Sequence, residues 1–147
     1  MPVRWLSTAT LLAALGCNGP FGLLPGGRLD GDTRPTPERW NLASDTGTMQ
    51  LETAPEEPYS VNVNYTLVKG ALYVNAGDTE TQWAKNIAAN PEVRVRVKGT
   101  LYSARANRVT DPDEVERFAL AWTSLNGFWA RDPRKLDEVW IYHVVPR

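Results

Sequence analysis

Residues Asp78 to Val97, DTETQWAKNIAANPEVRVRV, decide the fold. Thr79 and Gln82 have the spacing of a capping box, which satisfies free N–H groups at a helix start. Trp83 and Ile87 lie one helical turn apart and share a face, with Ala84 and Ala88 beside them. Pro91 excludes Asn90 from the helical region, so the helix ends there. Val93, Val95 and Val97 then occupy one side of a strand, with Arg94, Arg96 and Lys98 on the other. A short helix is thus delivered onto a half-buried strand by an Asn-Pro corner.

Upstream the pattern has period two. Met49, Leu51 and Thr53 form a strand that Pro55-Glu56-Glu57-Pro58 ends. Tyr59, Val61, Val63 and Tyr65 alternate with Ser60, Asn62, Asn64 and Thr66 in a second strand. Lys69-Gly70 reads as a tight turn into a third, Ala71 to Ala76. Downstream, Lys98-Gly99 turns into a strand from Thr100 to Val109. Asp111-Pro112-Asp113-Glu114 starts a second helix: N-cap, proline in the first turn, and a glutamate three after the cap. Val115, Phe118, Ala119, Trp122 and Leu125 give that helix a buried face, and Gly127 its stop. The last strand, Glu138 to Val145, is apolar on both sides and therefore buried on both. The order βββαββαβ, mainly β with two helices, predicts a small six-stranded barrel over residues 47–147, because closure removes exposed sheet edges.

The 147 residues carry a net charge of −1, which gives no basic field for nucleic acid. Cys17 is the single cysteine and His143 the single histidine, which excludes an intramolecular disulfide and the usual His-rich metal sites. Arg4, the apolar run Leu6 to Leu15 and the small residues before Cys17 have the form of an export signal over residues 1–16. Leu12-Ala13-Ala14-Leu15-Gly16-Cys17 resembles a bacterial lipobox. That likeness implies lipidation of Cys17, a membrane partner, and a place in the cell envelope facing the periplasm or the exterior. The alternative is an uncleaved anchor continuing through Phe21 and Leu24. Residues 17–46 are rich in Gly, Pro and Asp and read as a tether, although Trp40 and Leu42 are able to pack back on the domain.

Trp83-x-x-Asn86-Ile87-x-x-Asn90-Pro91-x-Val93-x-Val95, preceded by Gly70-x-Leu72-Tyr73-Val74 and followed by the terminal Val139-Trp140-Ile141-Tyr142, resembles the split-barrel flavin-binding family of the pyridoxamine 5'-phosphate oxidases. The likeness is closer to its deazaflavin-dependent nitroreductase branch. It implies an FMN-binding split barrel, a homodimer with FMN or F420 at the interface, a small-molecule substrate, and oxidoreductase chemistry supplied by the cofactor. The family holds the cofactor phosphate with basic residues at the first helix. Gln82, Trp83 and Thr79 stand at those positions, leaving Thr79, Thr81 and Lys85 to meet an anion.

The candidate cofactor-binding residues are therefore Asn62, Asn64, Asn75, Thr79, Trp83, Lys85 and Asn86. Asn62 and Asn64 form a row with Ser60 that either lines a pocket or faces solvent. Trp83 either stacks on a ring or belongs to the core. Arg94, Arg96 and Lys98 read as a phosphate patch or as a solvated strand face. His143 is the one histidine available to a haem. The missing basic residues leave open a second function class, a ligand-binding or structural lipoprotein that has lost the cofactor.

Overall fold

The computed structural model describes residues 18–126 and 131–147. The export signal, Cys17 and Gly127 lie outside the described residues. The strands are β1 (Thr33–Pro35), β2 (Thr46–Thr53), β3 (Tyr59–Val68), β4 (Ala71–Ala76), β5 (Glu92–Val97), β6 (Thr100–Arg108) and β7 (Trp140–Pro146). The helices are α1 (Gln82–Ala89) and α2 (Pro112–Asn126). Neighbouring strands run β6-β5-β2-β3-β4-β7, and an additional β6–β7 pairing closes them into a six-stranded antiparallel barrel. The expected split-barrel architecture is thus the one that forms.

Alternation fills the barrel. Met49 and Leu51 from β2, Tyr65 and Leu67 from β3, and Leu72 and Val74 from β4 meet Val93, Val95 and Val97 in one core. Trp83, Ala84 and Ile87 of α1 join that core from outside the strands. A second cluster, Tyr73, Ile141, Val115 and Phe118 among its members, lies where α2 covers the outer face of β4 and β7. This explains why β7 is apolar on both sides. Lys69-Gly70 and Lys98-Gly99 all have positive φ, 51° and 85° in the first pair and 48° and 82° in the second. That pattern is the hairpin turn whose twist matches the flanking strands.

Several expectations are corrected. Thr79 and Gln82 form no capping box: Thr81 is the N-cap, without a side-chain cap bond, and Gln82 is the first helical residue. The Gln82 amide bonds Asn86 instead, at 2.8 Å. Leu125, expected on the buried face of α2, is exposed, because burial along that helix ends at Phe118 and Ala119 and Trp122 beyond them is only half-buried. The last strand starts at Trp140 rather than Glu138, since Glu138 and Val139 bond back to the Lys135 carbonyl.

The largest difference lies in the segment expected as a tether. Its later part, with Trp40 buried edge-on against Tyr102 at 4.9 Å, packs back as anticipated. Its earlier part is laid on the barrel too. Strand β1 pairs in parallel with β6. Leu29 is 1% exposed, and its N–H donates to Glu52 Oε2 at 2.6 Å. Gly26 and Ser60 exchange both backbone hydrogen bonds at 2.8 Å. A Cβ on Gly26 would lie 2.4 Å from the Asn18 carbonyl, so only glycine fits this close approach. A helix continuing through Phe21 and Leu24 does not form, because those two residues close a turn over Gly22.

Candidate functional site

A cavity of about 290 Å³ opens between β3, β4, the start of α1 and the end of α2. Tyr65 points into the barrel, so Asn64 and Thr66, its neighbours on β3, point out toward this cavity. On β4 the same alternation puts Tyr73 under α2 and Asn75 beside it, at the cavity. Thr81 and Trp83 enter from the start of α1, Trp122 and Asn126 from the end of α2. Among the described residues none lining it is charged.

These groups suit a flat heteroaromatic edge. Each asparagine amide offers one acceptor and two donors. Asn64 Oδ1 accepts from the Thr48 hydroxyl at 3.2 Å, which leaves its N–H donors directed elsewhere. Trp83 is only 7% exposed and packs on Tyr142 with 5.8 Å between ring centroids, so it is a core residue whose edge reaches the cavity. Arg131 donates to the carbonyl of Gly77, which itself lines the cavity. A guanidinium therefore stands at the rim although none lines the wall.

The predicted residues divide. Asn64, Asn75 and Trp83 come together at this cavity. Asn62 does not: its side-chain N–H donates to the Gly22 carbonyl at 3.0 Å. Ser60, from the same row, is fully buried beneath Gly26. Asn86 donates to Thr53 Oγ1 at 3.0 Å and lines a separate recess with Gln82 and Tyr59. Lys85 pairs with Glu80 at 2.7 Å on the surface. Thr79 is half-buried and does not line the cavity. Arg94 and Arg96 are neither a phosphate patch nor simply solvated. Arg94 forks onto Glu52 at 2.8 and 2.6 Å and donates to the Leu29 carbonyl, and Arg96 holds Gln50 and the Asp30 carbonyl. Both clamp the N-terminal segment to the barrel.

Sequence reasoning missed Asn126 and Arg131. Asn126 continues the apolar stripe of α2 one turn past Trp122, and a polar residue ending such a stripe is a legible signal. Arg131 reaches the site from 54 residues beyond Gly77, and no local pattern announces that.

A larger cavity, about 450 Å³, lies at the Asn-Pro corner between Ile87, Pro91, Arg105, Trp140 and Tyr142. Arg108 also lines it, with its guanidinium 4.5 Å from the Trp140 ring centroid and donating to the Leu136 carbonyl. Burial lowers the Arg108 pKa, opposed by nearby Tyr142. On the outer face of β4 and β7, Glu114 Oε1 accepts from the Tyr73 hydroxyl at 2.9 Å and lies 3.2 Å from His143 Nδ1. The Tyr73 and His143 rings stack at 4.7 Å. Burial, then the Glu114 carboxylate, raises the Tyr73 pKa.

Comparison with solved structures places this fold. HutZ, the heme storage protein of Vibrio cholerae, superposes with a TM-score of 0.56 at 16% identity, over 68% of this chain and 81% of that one. A pyridoxamine 5'-phosphate oxidase candidate from Listeria innocua gives a TM-score of 0.52 at 17% identity, over 68% and 83%. An FAD-binding protein from Mesorhizobium loti gives 0.50 at 18%, over 71% and 81%. At such identities the likeness shows the fold, a split barrel of the pyridoxamine 5'-phosphate oxidase type. No curated protein matches the chain. The family model of the F420H(2)-dependent quinone reductases matches residues 61–134, half of the sequence, and the chain belongs to that family.

Proposed function

We propose that this protein is a deazaflavin- or flavin-dependent reductase whose cofactor ring lies in the cavity between β3, β4, α1 and α2. The observation that carries the reading is the convergence of Trp83, Trp122, Asn64, Asn75 and Asn126 on one cavity within the segment the family model matches. The donor set fits a neutral heteroaromatic ring: the amides meet its polar edge, and the tryptophans supply apolar walls that exclude water. Its anionic end has Thr81, the first N–H groups of α1 and Arg131. When bound, the cofactor supplies hydride transfer; the chain binds and orients it. We place the protein on a membrane through residues 1–17, in the cell envelope, and expect a homodimer.

The full-length protein, purified in detergent, tests this by tryptophan quenching titrations with F420, FMN and haem. Micromolar binding of F420 or FMN, weakened at least tenfold in N75A and N64A, supports the reading. No binding by any of the three overturns it. That outcome selects the second reading, a binding protein without the cofactor, which the uncharged wall of the cavity favours.

A further inference from the structure

Three side chains of a single turn are the most exposed large apolar groups among the described residues: Phe21 at 83%, Leu23 at 101% and Leu24 at 67%. The turn is well tied. Phe21 and Leu24 exchange backbone hydrogen bonds at 3.1 and 2.9 Å, and Gly22 between them takes a φ of 58°. Asn62 donates to the Gly22 carbonyl at 3.0 Å. Beneath the turn, Gly26 is paired with Ser60, and the Gly27 N–H donates to the Asn18 carbonyl at 2.7 Å. The backbone of this small hairpin is bonded to β3, while its apolar side chains are held out in solvent. Turn positions are ordinarily filled by Gly, Pro, Asn, Asp or Ser, and contiguous exposed apolar groups mark a contact surface.

The position in the chain selects the partner. The apolar run Leu6 to Leu15 and Cys17 immediately precede Asn18, which is already bonded to the hairpin. Cys17 and Phe21 are separated by at most about 14 Å of extended chain. A bilayer that holds the anchor therefore has its surface at this turn. We propose that Phe21, Leu23 and Leu24 insert into the headgroup–acyl boundary of that bilayer and fix the orientation of the barrel upon it. The inference rests on the reading of residues 1–17 as a membrane anchor. An anchor followed by a free tether leaves the domain to tumble; a second apolar contact on a hairpin hydrogen-bonded to the barrel removes that freedom. Asn64, which lines the cofactor cavity, is two residues from Asn62 on the same face of β3, so the cavity and the turn share one side of the barrel.

The test uses the full-length chain in phosphatidylethanolamine–phosphatidylglycerol vesicles, with a nitroxide at L23C and, separately, at F21C; the unsubstituted chain carried through the same labelling gives the signal of Cys17, which is subtracted. Both side chains are exposed, and equal melting temperatures check that the variants fold. Flotation with the vesicles reports the anchor. Collision of the nitroxide with dissolved oxygen against a water-soluble nickel chelate reports the depth of the turn. The expected result is flotation with oxygen access exceeding chelate access several-fold at both positions. Flotation with the label as open to the chelate as a free nitroxide overturns the turn contact and leaves the anchor standing. Failure to float overturns both.

Discussion

His143 shows what burial does to one side chain. Its ring is stacked on Tyr73 and beside Glu114, whose carboxylate favours the imidazolium, yet burial outweighs that attraction and the pKa lies below the ordinary 6.5. The folded state therefore binds fewer protons on His143 than the unfolded chain does near that pH. Stability contributed this way is present above pH 6.5 and is lost as pH falls through the lower folded-state value. Urea denaturation between pH 7.5 and 5.5 is expected to show decreasing stability, with a flatter profile in H143Q. An unchanged profile in H143Q would exclude the imidazole as its source. Trp83 gives a second prediction at this scale. Because it is buried against Tyr142, W83F is expected to lower stability by about 1–2 kcal/mol through lost core volume. If its edge also meets the cofactor ring, F420 or FMN affinity falls in the same variant while N75A leaves stability nearly unchanged. Chemical denaturation paired with ligand titration separates the two effects.

At the level of elements, the clamp on the N-terminal segment is the most testable feature. Glu52 is 4% exposed and depends on Arg94 and the Leu29 N–H for its charge balance and hydrogen bonds. R94M leaves that carboxylate buried and unpaired, with an expected loss of about 3–5 kcal/mol. The double variant E52Q/R94M should recover part of it, and denaturant midpoints across the double-mutant cycle measure the coupling. The elements that local chemistry specifies were legible in the sequence. Asn90-Pro91 ends α1 with Asn90 at φ −149°, the valines of β5 alternate inward as spaced, and Asp111 caps α2 through the Glu114 N–H at 2.9 Å. The clamp was not legible. Gly, Pro and Asp in residues 18–46 fail to show hydrophobic periodicity, and the partners of Leu29 lie on strands joined to it only in three dimensions. Arg94 and Arg96 carry the same ambiguity: alternation places them outside the barrel, but not beneath a second layer of chain. For the site, strand alternation put Asn64 in a row that lines a pocket or faces solvent, and Asn75 stood out by its place near the end of its strand; both reach the cavity, whereas Asn62 of the same row met the Gly22 turn instead.

For the whole molecule, the barrel does not stand alone. Closure between β6 and β7 removes the sheet's edges, with Arg105 opposite Val145 and Asn107 opposite His143. Even so, residues 18–31 cover Ser60, bury Leu29 and supply partners to Glu52, Arg94 and Arg96. A fragment beginning at Thr33, where β1 starts, keeps every barrel strand and loses all of these contacts. Burial of Leu29 is worth about 2 kcal/mol, and the hydrogen bond it gives to the Glu52 carboxylate about 1.5–3 kcal/mol. Their sum, about 4 kcal/mol, corresponds to a melting temperature lower by roughly 10–20 °C for a domain of this size. The expected outcome is that a fragment from Asn18 melts in one cooperative transition and the fragment from Thr33 melts at least 10 °C lower. G26A in the longer fragment should move it toward the shorter one, because the added Cβ meets the Asn18 carbonyl and the Gly19 backbone and separates the hairpin from β3. Calorimetry of the three proteins decides this: coincident melting curves would show that the segment rests on the barrel without stabilising it. A graded series would make it a seventh wall of the fold, and would require any ligand study to start from Asn18 or earlier.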